Sequence, residues 1–126
     1  MLLVAREELT ELTLLDLLAL TPARFAEVLR RTPVKRTKLT GLLRNACVAA
    51  GNLTAAEKTI EMMGALVRLA AEAAPLVRVH AVWAVHRLAG ADARGWLAAA
   101  REAERDAEVL AEYAWWEQTR PADAQP

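Results

Sequence analysis

Residues 38–52 read Lys38-Leu39-Thr40-Gly41-Leu42-Leu43-Arg44-Asn45-Ala46-Cys47-Val48-Ala49-Ala50-Gly51-Asn52. Leu39, Leu42, Leu43, Ala46 and Ala50 recur at the three- and four-residue spacing of one helical face, which predicts a helix over about 37–50 stopped by Gly51-Asn52. Lys38, Gly41 and Asn45 fall on its other side. The pattern returns 35 residues later, where Ala81, Trp83 and Val85 overlie Ala46, Val48 and Ala50, and His80 overlies Asn45. A weaker third copy sets Ala114 and Trp116 33 residues beyond Ala81 and Trp83, with Tyr113 in the His80 place.

Outward from this stretch the chain reads as helix throughout. Ala and Leu supply 48 of the 126 residues, Ile occurs once, and no sustained alternating apolar run suggests a strand. Leu12, Leu15, Leu18 and Leu20 predict a short first helix ending before Thr21-Pro22, and a second follows to about Arg31, where Thr32-Pro33 breaks it. Thr54-Ala55-Ala56-Glu57 has the form of a capping box, which predicts a fourth helix from there to about Ala73. Pro75 opens a fifth that closes at Gly90, and Asp92 can cap a sixth carrying Trp96 and Leu97. A seventh starts after Asp106, or residues 93–118 form one long helix. Six or seven helices with a 35-residue period predict an all-α, HEAT-like α-solenoid of about three helix pairs, with an ordinary bundle as the competing architecture. One domain is expected over 1–118 and a flexible tail over 119–126.

Composition narrows function. The slightly positive mean hydropathy and the 16 basic against 16 acidic residues place the chain in the soluble globular class. The absence of Ser excludes a serine triad, and a lone Cys47 excludes an internal disulfide. His80 and His86, the only histidines, are six residues apart, roughly 600° around a helix, so they do not converge on one ion and no metal is expected. Residues 1–8 lack a basic n-region, and Glu11 and Asp16 interrupt the leucine-rich start, so a cytoplasmic chain with no membrane span is expected. A noncatalytic role follows.

The neutral total conceals segments of −3 over 1–23, +7 over 24–94 and −4 over 95–126. Arg24, Arg30, Arg31, Lys35, Arg36, Lys38 and Arg44 face only Glu27 across 24–44, a local +6 suited to an anionic partner or to a solvated face. Glu104, Glu108 and Glu112 form an expected acidic stripe at four-residue spacing, which can dock the basic segment of another copy. His80 is expected to be packed against a carbonyl or loop, and core or helix-seam packing is expected of the tryptophans Trp83, Trp96, Trp115 and Trp116, three of which fall on or beside repeat positions. Of the adjacent Trp115 and Trp116, one is expected to cover a terminal repeat or a partner surface.

Thr32-Pro33-Val34-Lys35-Arg36, Gly41-Leu42-Leu43-Arg44-Asn45-Ala46 and Ala49-Ala50-Gly51-Asn52, with the later Pro75-Leu76-Val77-Arg78, His80-Ala81 and Trp83-Ala84-Val85, resemble the C-terminal HEAT-like region of the epoxyqueuosine reductase family. The resemblance spans about residues 10–118. It implies a helical domain that meets the anticodon arm of a transfer RNA, in a family that completes queuosine at the wobble position with cobalamin and two [4Fe-4S] clusters. Cys47 alone cannot ligate such a cluster, so the resemblance implies the helical appendage without cofactors, and any reductive step would need a separate catalytic chain. Lys35, Arg36, Lys38, Arg44 and Asn45 are the RNA-contacting candidates, and Arg78 extends the same edge on the next repeat. The alternative is a protein-interaction adaptor without RNA contact, and a homo-oligomer is compatible with either.

Overall fold

In a computed structural model the protein is described over residues 14–19, 21, 23, 36–54 and 56–118. The helix expected over 22–31, the connector with Lys35, and the tail 119–126 lie outside the described residues.

The described helices are α1 (Leu14–Leu18), α2 (Arg36–Gly51), α3 (Ile60–Glu72), α4 (Pro75–Ala89), α5 (Ala93–Ala103) and α6 (Ala107–Gln118), with a 3₁₀ turn Gly90–Asp92 before α5. Among the described residues there is no strand, and no helix is long and apolar enough to cross a membrane.

Helix ends follow local chemistry. Thr59, extended at φ −128° and ψ 160°, accepts the Met62 amide on its hydroxyl at 3.1 Å and starts α3. The Thr54–Glu57 box does form, with the Thr54 amide donating to Glu57 Oε1 at 2.8 Å, but it closes an isolated turn five residues short of the place where the helix begins. The box motif is therefore correct as chemistry and misplaced as a helix start. Pro75 occupies the first turn of α4, where a missing amide costs nothing, and Gly90 ends it at φ 55°, a backbone angle that disfavours a side chain. Between α5 and α6 the chain breaks at Glu104–Asp106, which excludes one long helix over 93–118. Asp106 makes the break by accepting the Glu108 and Val109 amides at 2.9 and 3.1 Å.

The helices lie in two rows. α2 packs on α4 and α4 on α6, α1 packs on α3 and α3 on α5, and the rows meet through α1–α2, α3–α4 and α4–α5. Leu39, Leu43, Ala46, Cys47 and Ala50 of α2, Met63, Leu66 and Leu69 of α3, and Val77, Ala81, Val82 and Val85 of α4 form one core that continues to Leu97, Val109 and Tyr113. Helices α2, α4 and α6 run the same way, because the C-terminal Gly51 of α2 lies against Trp83 of α4, and His86 of α4 stacks on Trp116 of α6. At Gly51 a Cβ would meet the Trp83 ring carbons Cη2 at 2.9 Å and Cε3 at 3.0 Å, so glycine sets the spacing of α2 and α4 there.

Positions 35 residues apart match in part: Val48 is exposed where Trp83 is half-buried. Ala46 and Ala50, like Ala81 and Val85, are buried. Asn45 is exposed and His80 half-buried, whereas Tyr113 in the corresponding place is fully buried. In α6 the buried pair is Val109 and Tyr113, so the inward face has rotated relative to α2 and α4.

Candidate nucleic-acid interface

Helix α2 carries Arg36, Lys38 and Arg44 and no acid. Arg36 and Lys38 stand in its first turn, where cations oppose the positive helix end, so their placement there is not explained by helix stability. Arg44 is half-buried, and both its Nε and Nη2 donate to Asn45 Oδ1 at 3.2 Å, which holds the guanidinium along the outer side of the helix. Among the described residues no carboxylate pairs with Arg44. At Gly41, one turn earlier, a side chain would meet no other described residue within 4 Å. An uncompensated guanidinium beside an exposed amide can donate to a phosphate or sugar oxygen.

Arg78 does not join that edge. Its Nε and Nη2 donate to the two Glu104 oxygens at 3.0 and 2.9 Å, and its Nη1 donates to the Ala73 carbonyl at 2.8 Å. Glu104, 6% exposed, also accepts the Arg105 and Asp106 amides at 3.2 and 3.0 Å. Burial pushes the Glu104 carboxyl up, but the Arg78 hydrogen bonds and charge and the two amides outweigh it and hold it below the ordinary carboxylate range. The expected stripe of Glu104, Glu108 and Glu112 is thus corrected: Glu104 belongs to the interhelix break, where a bidentate pair with Arg78 ties α4 to the α5–α6 turn.

His80 is half-buried and bonds through Nδ1 with the Leu76 carbonyl of its own helix at 2.8 Å. Cys47 is fully buried, and burial pushes its thiol up to about 12, so it is chemically quiet. Among the described residues no three His, Cys, Asp or Glu side chains gather to hold a metal ion.

A second cluster, not anticipated from the sequence, closes the other end. A cavity of about 160 Å³ between α4, α5 and α6 is lined by His86, Arg94, Leu97, Arg101, Tyr113 and Glu117. His86 stacks on Trp116 with ring centroids 4.6 Å apart and planes 4° apart, while Trp116 Nε1 donates to Glu112 Oε2 at 2.8 Å. Arg101 lies over the Tyr113 ring and donates to Glu117 at 3.0 Å. Burial lowers the His86 pKa to about 4, helped by Arg94 and opposed by Glu117. Burial, and then the Glu104 charge, raise the Tyr113 phenol to about 12, and its hydroxyl is buried without a hydrogen-bond partner among the described residues.

Of the tryptophans, only Trp96 departs from the expected packing. Trp83 and Trp116 are half-buried in helix seams, whereas Trp96 and Trp115 are 38% and 53% exposed. The signals for this second cluster, 30 residues between His86 and Trp116 and 16 between Arg101 and Glu117, have no periodic signature and appear only once the rows are assembled. Comparison with family models, with curated proteins and with solved structures finds no match for the chain.

Proposed function

We propose that the chain is a noncatalytic RNA-binding module, a HEAT-like α-solenoid that holds a transfer RNA anticodon arm along α2, in keeping with its resemblance to the C-terminal region of epoxyqueuosine reductases. The observation that carries the reading is α2 itself: three bases and no acid over 16 residues, with Arg44 free of any carboxylate among the described residues. In this reading Lys35, Arg36, Lys38 and Arg44 neutralise phosphates and Asn45 donates to a phosphate or sugar oxygen, recognition by shape and charge rather than base sequence. Arg78, committed to Glu104, leaves the contact set. Chemistry on the RNA belongs to a separate catalytic chain.

The test is binding of a labelled anticodon stem-loop over a salt series, for the native chain, for Lys35→Ala/Arg36→Ala/Lys38→Ala combined, and for Arg44→Ala. Each lost phosphate contact lowers the slope of log K against log salt by about 0.7–0.9, so the triple variant loses about two units or more. Equal, salt-insensitive binding in all three removes the reading. A protein-interaction adaptor is the second reading, favoured by one observation: each helix of the α2–α4–α6 row leaves one large apolar side chain exposed, Val48, Leu76 and Trp115 respectively.

A further inference from the structure

The row α2–α4–α6 carries a charge gradient that the sequence order hides. α2 holds Arg36, Lys38 and Arg44 with no acid, and α6 holds Glu108 and Glu112 with no base, its Glu117 being paired with Arg101 of α5. Both flank α4, so among the described helices the basic and acidic ones are the two outer members of one layer. A face that is positive at one margin and negative at the other is complementary to its own copy after a half-turn about an axis parallel to the central helix. A half-turn about the perpendicular axis in that face would set α2 against α2, which like charge disfavours.

We infer that the α2–α4–α6 face binds a second copy of this chain, α2 of each protomer lying along α6 of its partner and α4 facing α4 across the twofold axis. This goes beyond the RNA reading and does not depend on it. The heights of the charges agree with the pairing. Gly51 lies against Trp83, so Arg44, seven residues earlier, is level with Leu76; His86 lies against Trp116, so Leu76, ten residues earlier, is level with Asp106, within a turn of Glu108. Arg44 and Glu108 therefore stand at nearly one height on opposite margins, with Leu76, 45% exposed, between them on the axis. Leu76 and the half-buried Val79 supply the apolar centre, and the half-buried Trp83 beside them is covered by the exposed Arg87, whose guanidinium lies over the ring at 5.5 Å from its centroid and is bonded to Asn52. Helices of 12–16 residues spaced about 10 Å apart present ~600 Å² per copy, or ~1,200 Å² in total, the low end of specific interfaces, so the dimer is weak and salt-sensitive.

Sedimentation equilibrium of the full chain without RNA, at low and high salt, tests this, with Arg44→Glu and Glu108→Lys separately, mixed, and combined in one chain. The native chain forms a concentration-dependent dimer that salt weakens. Each single reversal places like charges at both junctions and weakens it about tenfold or more. The equimolar mixture of the two single variants restores the dimer, because Arg44 then meets Glu108 at one junction and Glu meets Lys at the other. The doubly reversed chain restores it as well, which separates loss of the interface from loss of fold, and the helical dichroism of every variant stays native. A native chain that stays monomeric to roughly millimolar concentration at low salt overturns the inference, as does a dimer indifferent to both reversals. Glu108→Lys leaves every base of α2 in place, so its RNA binding is retained if the RNA reading holds, whatever the dimer does; the two proposals fail separately.

Discussion

His86 shows how a single side chain acquires a pH dependence from its neighbours. It stacks on Trp116 and faces Arg94, Arg101 and Glu117 across the small cavity, and burial with Arg94 lowers its pKa from 6.5 to about 4. A histidine held neutral in the fold but free to charge when unfolded makes the unfolded state bind more protons between those two values, so stability is full above about pH 6.5 and falls as pH drops toward 4. Because the ring is only half-buried, solvent screening limits the loss to about 1 kcal/mol. His86→Phe keeps the aromatic stack and removes the titration. Urea denaturation at pH 7 and pH 4.5 is expected to show a smaller stability difference for the variant than for the native chain; an unchanged difference contradicts this account. Glu104 contributes at lower pH, since a carboxyl held below its usual range loses its stabilising charge only as pH falls beneath about 4.5.

At the scale of elements, capping chemistry decides where helices begin, and two threonines separate the alternatives. Thr59 satisfies the Met62 amide at the true start of α3, whereas Thr54 and Glu57 bond one another in an exposed turn. Thr59→Ala is expected to destabilise the fold by about 1 kcal/mol and Glu57→Ala by less than about 0.5 kcal/mol, read by thermal or urea unfolding. The reverse order would place the functional cap at the box after all. Most element ends were legible because they rest on contacts within four residues: Asn52, Pro75, Gly90 and Asp106 each act on their own neighbourhood. The box misled because two threonines five residues apart both precede the α3 apolar run, and only the packing of Met62, Met63 and Leu66 into the core decides which phase of the helix is used.

In the whole molecule α4 is the keystone, touching α2, α3, α5 and α6. Its amides are expected to exchange slowest with solvent water, at rates set by global unfolding, while α1 and the Thr54–Glu57 turn exchange through local opening. Hydrogen exchange read residue by residue checks this, and protection in α4 no greater than in α1 contradicts it. The all-helical class was legible in the apolar spacing and in the scarcity of β-branched runs, because helical periodicity is a property of neighbours three and four apart. The basic character of α2 and the acidic character of α6 were legible for the same reason. The pairing of Arg78 with Glu104, the stacking of His86 on Trp116 and the placing of α2 and α6 on opposite margins of one face were decided only by tertiary structure. Those contacts join residues 26–30 apart, or helices separated by the whole middle of the chain, and their geometry depends on how side chains interlock across the core rather than on any local preference.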